Sequence, residues 1–150
     1  MKRFLPVVFL SLLALWACAT KPAPDKTCYP KVVVLKGVNF DFNKSVLKPE
    51  SYTALNENLA TLASRPKMTI TIIGHTDSDG NEAYNQKLSF ARATAVMQYF
   101  AEKGIAANRM QAVGKGESTP IADNRTESGK ALNRRIEIEF NDPEPDIICK

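Results

Sequence analysis

Residues 67–104 read KMTITIIGHTDSDGNEAYNQKLSFARATAVMQYFAEKG, and the change of period within them decides the fold. From Lys67 to Gly74, Thr69 and Thr71 interleave with Met68, Ile70 and Ile72, the two-residue alternation of a half-buried strand. From about Glu82 to Lys103, Leu88, Ala91, Ala95, Val96, Tyr99 and Phe100 recur at helical spacing, which predicts a helix with one buried stripe, stopped at Gly104. Between the two lies His75-Thr76-Asp77-Ser78-Asp79-Gly80, a turn that offers carboxylates and backbone N–H groups.

On the N-terminal side, Val32 to Phe42 is β-branched and aromatic, with Val38, Phe40 and Phe42 alternating against Asn39, Asp41 and Asn43, and is expected to form a strand. Pro49 opens a helix carrying Tyr52, Leu55, Leu59 and Leu62, which stops near Arg65-Pro66. On the C-terminal side, Arg109 to Lys115 is a third strand. Gly116 to Lys130 is polar and loop-like with room for a short helix, and Arg134 to Asn141 is a fourth strand with Ile136, Ile138 and Phe140 on one face. The order βαβαββ predicts an α+β domain, a mixed four-stranded sheet with helices packed on one face.

The first residues do not belong to that domain. Lys2 and Arg3 precede an apolar run from Phe4 to Trp16, and Ala17 is the small residue a signal peptidase prefers before its cut. The run is too short to span a bilayer comfortably. Leu15-Trp16-Ala17-Cys18 resembles the lipobox of bacterial lipoproteins, with Trp16 departing from the usual small residue. That resemblance implies acylation of Cys18, and several acyl chains at ~0.8 kcal/mol per buried CH₂ anchor a chain stably where one does not. The alternative is an ordinary secretory signal cut near Ala17 or Ala19, with Cys18 a bystander. By the enterobacterial sorting rule, Ala19 in place of an aspartate implies delivery to the outer membrane, with the domain facing the periplasm.

Residues 1–17 are therefore expected as a lipoprotein signal peptide, 18–30 as the lipidated cysteine and a flexible, proline-containing tether, 31–142 as the domain and 143–150 as a C-terminal tail. At ~3.4 Å per residue the tether reaches at most about 40 Å. Removing Lys2 and Arg3 with the signal lowers the formal charge from +4 to +2, which is no nucleic-acid signature. Cys28 and Cys149 remain, at the two ends of the domain in an oxidising compartment. A Cys28–Cys149 disulfide is expected, since it would tie the two ends of the domain together and close a long loop; the alternative is two free thiols. Neither has the spacing of a metal site, and no cofactor motif is present.

Several polar side chains exceed a structural requirement. Arg92, four residues after Leu88 and four before Val96, falls at the edge of the helix's apolar stripe, where a cation needs a partner. Arg134 shares the parity of Ile136, Ile138 and Phe140, so it is expected to point inward and Arg135 outward. Two inward cations beside a loop of carboxylates suggest a site for a zwitterion.

Phe40-Asp41-Phe42, Gly74-His75-Thr76-Asp77 with Gly80, Asn85 followed by Leu88-Ser89 and Arg92-Ala93, Gly114-Lys115-Gly116-Glu117 and Asn133-Arg134-Arg135 follow one another in the order and spacing of known motifs. Together they resemble those of OmpA-like C-terminal domains over nearly the whole mature chain. The lipobox, short tether and single domain are similar to the design of peptidoglycan-associated lipoproteins. The resemblance implies a βαβαββ OmpA-like sandwich that grips peptidoglycan noncovalently, Asp77 binding the ammonium and Arg92 the carboxylate of diaminopimelate in the stem peptide. It places Asn85, Thr76 and Arg134 along the same pocket and Asp41 and Asn43 on its first-strand rim. Phe100 stands where the family often has leucine, and Asp79 adds a second acid that either weakens ligand selectivity or caps the helix.

The residues admit other readings. Asp77 and Arg92 could simply brace the loop by pairing with each other. A triad of His75, Asp77 and Ser89 has no nucleophile elbow, so the expectation is a protein that is not an enzyme, with His75 a structural hydrogen-bonding residue. A calcium loop through Asp77, Asp79 and Asn81 fails because its glycine falls at Gly80 and Leu88 replaces the closing glutamate. The stronger rival is an interaction module that docks an envelope partner, such as a Tol-type periplasmic protein or a secretion component.

Overall fold

A computed structural model describes residues 29–41, 43–141 and 148–149. The chain runs β1 (Tyr29–Pro30), β2 (Val32–Val34), α1 (Ser51–Ser64), β3 (Thr69–Gly74), α2 (Glu82–Glu102), a 3-10 turn (Ala107–Arg109), β4 (Met110–Gly114), α3 (Glu127–Asn133), β5 (Ile136–Asn141) and β6 (Ile148–Cys149). Four strands form one mixed sheet in the order β2-β5-β3-β4, parallel between β3 and β4 and antiparallel elsewhere. This is the expected α+β arrangement.

Register sets one face of the sheet. Ile70 pairs with Phe140 and Ile72 with Ile138, so all four side chains share the buried side. Leu55 and Leu62 from α1 and Ala93, Val96 and Phe100 from α2 join them in a single core. Burying each large side chain contributes ~1.5–3 kcal/mol, which makes this layer the main source of stability. Arg109 closes the bottom of α1, donating to the carbonyls of Leu62 (2.9 Å), Arg65 (2.7 Å) and Met68 (2.8 Å) where the helix runs out of internal partners.

The other end of the sheet matters for the site. At Gly74 an added Cβ would lie 2.0 Å from the Ser89 carbonyl oxygen, and at Gly114 one would lie 2.6 Å from the Phe90 nitrogen. The first half of α2 therefore rests directly on the ends of β3 and β4, an approach only glycine permits. Ser89 fastens it there, its hydroxyl accepting from the Gly116 N–H at 2.9 Å.

Three sequence expectations need correction. The first strand does not run from Val32 to Phe42. It ends at Val34 because Gly37, at φ +84°, turns the chain; Val38 remains buried, Phe40 keeps only an isolated bridge to Leu47, and Phe42 lies outside the described residues. The buried face of α2 is Asn85, Ser89, Arg92, Ala93, Val96 and Phe100, whereas Leu88, Ala91 and Ala95 are half-buried. The last strand starts at Ile136, since Arg134 is the C-cap of α3 and lies off the pleat. As a result Arg135 is the buried one, 7% exposed, while the Arg134 side chain is 40% exposed, the reverse of the parity argument.

The signal segment, Cys18, Cys28 and most of the tether fall within residues 1–28, outside the described residues. Its last two residues form β1, which pairs in parallel with β6 from the C-terminal tail, placing Tyr29 beside Ile148 and Pro30 beside Cys149.

Candidate functional site

The pocket is built where β3 gives way to the turn before α2. Its volume is about 480 Å³, and its walls come from four separate stretches: the loop after β2, the turn, α2 and the region of α3. Thr76, Asp77, Asn85, Arg92 and Arg134, with Asp41 and Asn43, all line it. Side chains up to 94 residues apart in sequence, Phe40 and Arg134, are thus brought to one cavity.

Each is positioned by an identifiable contact. The last rung of the β3–β5 ladder, from the His75 N–H to the Arg135 carbonyl at 3.0 Å, sets Thr76-Asp77 and Arg134 on opposite sides of a shared base. Arg134 Nη1 meets Asp77 Oδ2 at 2.5 Å, while Asp77 Oδ1 accepts from the Asp79 N–H at 3.2 Å. Asn85 braces the turn from beneath. Its Nδ2 donates to the Asp77 and Asp79 carbonyls at 3.3 and 3.1 Å and to Glu117 Oε2 at 2.5 Å. Asn81 caps α2 by accepting from the Tyr84 N–H at 2.8 Å, so Asp79 is not the cap. Asp79 pairs instead with Lys130 on α3, at 2.9 Å.

Arg92 is the buried cation of the site, 5% exposed. Its Nε donates to the Lys44 carbonyl at 3.0 Å, and its guanidinium carbon stands 5.1 Å from the centre of the Phe40 ring. Among the described residues no carboxylate forms an ion pair with it, contrary to the expectation that it must be paired. The two residues that could have braced each other do not: Asp77 goes to Arg134. Burial pulls the Arg92 pKa below its usual range, Asp77's charge offsets part of that, and Arg134 adds to it. Thr76 supplies a second uncommitted group, a hydroxyl on a residue 4% exposed with no hydrogen-bond partner among the described residues.

Behind the pocket, on the far side of the ladder, is a polar cluster. Arg135 donates to Glu137 Oε1 at 2.7 Å and to the Thr119 carbonyl at 3.1 Å, while the Thr119 hydroxyl meets His75 Nδ1 at 3.0 Å. His75 Nε2 is 3.4 Å from Glu137 Oε2 without hydrogen-bond alignment. Burial, then the Arg135 charge, hold the His75 pKa down to about 4, so the ring is neutral at pH 7. Burial would raise Glu137, but the Arg135 hydrogen bond and charge outweigh it and the carboxyl sits below its usual range. This cluster fastens the loop after β4 to the two strands that carry the site.

The rim residues differ in kind. Asp41 is exposed and tied to Lys44 at 3.3 Å and Lys48 at 3.7 Å. Asn43 adopts a left-handed conformation, φ 60°, and accepts the hydroxyl of Tyr84 across the cavity. Sequence reasoning missed Tyr84, Glu117, Glu127 and Lys130. Tyr84 was findable, because Tyr84, Leu88 and Arg92 repeat every four residues and all three line the pocket. Glu117 closes the Gly114-Lys115-Gly116-Glu117 motif, to which no site role was attached, and nothing in the spacing of Glu127 or Lys130 signals their place.

A buried cation, Arg92, and a carboxylate, Asp77, thus line one open cavity. The OmpA family profile matches residues 39–134, and the chain belongs to the OmpA family. It is 51% identical over 100 residues to outer membrane porin F of Pseudomonas fluorescens, covering 67% of this chain and 31% of that protein. It is 47% identical over 120 residues to outer membrane protein A of Bordetella avium, covering 80% of this chain and 60% of that protein. The chain thus spans less than two thirds of the length of these relatives. Among solved structures, the peptidoglycan-associated lipoprotein from Burkholderia pseudomallei superposes with a TM-score of 0.66 at 32% identity, covering 69% of this chain and 88% of that one. The cell wall anchor of the type VI secretion system (T6SS) from Pseudomonas aeruginosa gives a TM-score of 0.62 at 26% identity, over 73% of this chain and 77% of that one.

Proposed function

We propose that the domain binds peptidoglycan noncovalently through the free zwitterionic end of diaminopimelate in the stem peptide, and so tethers the outer membrane to the cell wall. Arg92 receives the ligand carboxylate and Asp77 its ammonium, with Arg134, Asn85 and Thr76 completing the pocket and Asp41 and Asn43 at its rim. The observation that carries this reading is the buried Arg92 guanidinium, which has no carboxylate partner among the described residues and lines an open cavity. A ligand carboxylate would offset the cost of burying that charge, and charge-assisted hydrogen bonds of this kind contribute ~1.5–3 kcal/mol each. Relatives named as outer membrane proteins, a peptidoglycan-associated lipoprotein and a cell wall anchor support it.

Within the same proposal, residues 1–17 are the signal peptide and Cys18 carries the lipid. Residues 18–30 are the tether, and a Cys28–Cys149 bridge joins the ends of the 31–142 domain. No step of the proposal uses catalysis or a cofactor. The test is co-sedimentation of the mature chain with diaminopimelate-type peptidoglycan. Wild-type protein should pellet and be released by free diaminopimelate, and Asp77→Ala should weaken retention at least about tenfold while the fold persists. Failure of a well-folded wild type to pellet would overturn the proposal.

One observation favours a second role. A groove of about 650 Å³ between α2 and the start of α1 exposes Val46, Tyr52 and Phe90 beside Tyr99 and shares no lining residue with the charged pocket. Such a surface suits docking of an envelope or secretion-system partner, and Phe90→Ser would impair that without touching wall binding.

A further inference from the structure

Asp79 is the one acid of the turn that the proposed ligand site does not use, and its surroundings give it a task. Lys130 Nζ lies 2.9 Å from Asp79 Oδ1 and 3.0 Å from Oδ2, and 3.3 Å from Glu127 Oε1. Lys130 comes from the middle of α3, its side chain is only 19% exposed, and it does not line the cavity, whereas Asp79 and Glu127 do. The two acids hold the Lys130 ammonium above its usual range, Asp79 first and Glu127 after it. The contact spans 51 residues of sequence and joins the turn that carries Asp77 to the helix whose cap is Arg134.

We infer that the Asp79–Lys130 pair is a selectivity latch, which neutralises the acid beside Asp77 in the turn so that Asp79 does not compete with it for a ligand ammonium. The inference rests on the wall-binding reading. A stem peptide whose third residue is diaminopimelate presents both a carboxylate and an ammonium at its free end, while one with lysine presents an ammonium only. An unneutralised Asp79 would attract the lone ammonium and repel the carboxylate of the zwitterion, shifting preference toward lysine. With Lys130 in place, that bias is cancelled.

The test uses two amidated synthetic stem tripeptides that differ only in ending with diaminopimelate or lysine, titrated into the mature chain. Lys130→Met should lower the diaminopimelate preference about threefold, an effect in the range of a partly exposed ion pair. Adding Asp79→Asn should restore it. Asp79→Asn alone should leave the preference at or above wild type, which keeps the test decisive even if Lys130→Met folds poorly. An unchanged preference in Lys130→Met, or a preference in the double variant as low as in Lys130→Met, overturns the latch. Reductive methylation of Lys130, mapped by mass spectrometry, should be slower in wild type than in Asp79→Asn; equal rates also overturn it. If wild type binds neither peptide, the wall-binding reading and the selectivity role fall together, while methylation still decides whether the pair exists in solution.

Discussion

The two halves of α2 share one buried face but do opposite work. From Ala93 through Val96 to Phe100 that face is apolar and packs into the core; from Asn85 through Ser89 to Arg92 it is polar and lines or braces the pocket. In the first case burial stabilises the fold. In the second, a buried cation without an acidic partner among the described residues costs stability, and under the proposed function a ligand carboxylate offsets that cost. The proposed function thus divides stability and recognition along a single helix, with Gly74 and Gly114 letting its first half settle on the strand ends.

The sharpest way to break this comparison is Phe100→Ala. It should cost ~3–5 kcal/mol and lower the melting temperature by well over about 10 °C, with ligand affinity of the remaining folded fraction unchanged. Loss of affinity in proportion to stability would show that the halves are not separable. Gly114→Ala sits at their junction. An added methyl would press into the backbone of α2 at Phe90, so it should cost ~1–3 kcal/mol and weaken binding together, the one substitution expected to do both. Unchanged thermal melting would contradict the close approach.

A third effect concerns pH. His75 is held neutral, at about 4 against an ordinary 6.5, so between these values the unfolded chain binds a proton that the folded chain refuses. Its contribution is complete above pH 6.5 and is lost as pH falls toward 4. Melting temperature should therefore fall by at least about 4 °C from pH 7 to pH 5, and His75→Gln should flatten that slope. A slope unaltered by the substitution would assign the acid sensitivity elsewhere. The smallest effect is at the rim: Asp41→Asn removes exposed pairs with Lys44 and Lys48 and should change stability by less than ~1 kcal/mol, as differential scanning calorimetry would register.

These contrasts also explain what the sequence could disclose. The strand from Thr69 and the helices were legible because alternation and helical spacing follow directly from burial on one side. The pocket half of α2 misled, since a stripe drawn through Leu88, Ala91 and Ala95 assumes that the buried face is apolar, and here it holds Asn85, Ser89 and Arg92. The same assumption carried strand parity back to Arg134, although the helix of residues 127–133 ends there and the strand begins only at Ile136, leaving Arg135 as the buried residue of the link. Motif spacing brought Asp77, Arg92 and Asn85 to notice. It could not reveal that Asp77 pairs with Arg134 or that Lys130 reaches Asp79, because those contacts exist only after the turn, α2 and α3 have been assembled.

The central claim is that Arg92 is buried for a ligand and not for the fold. Its most direct test is Arg92→Met, measured for melting temperature and for calorimetric binding of a diaminopimelate-ending stem peptide. The expected result is a melting temperature equal to or above wild type with binding weakened at least about tenfold. A variant that melts several degrees lower, or one that still binds like wild type, would contradict the account.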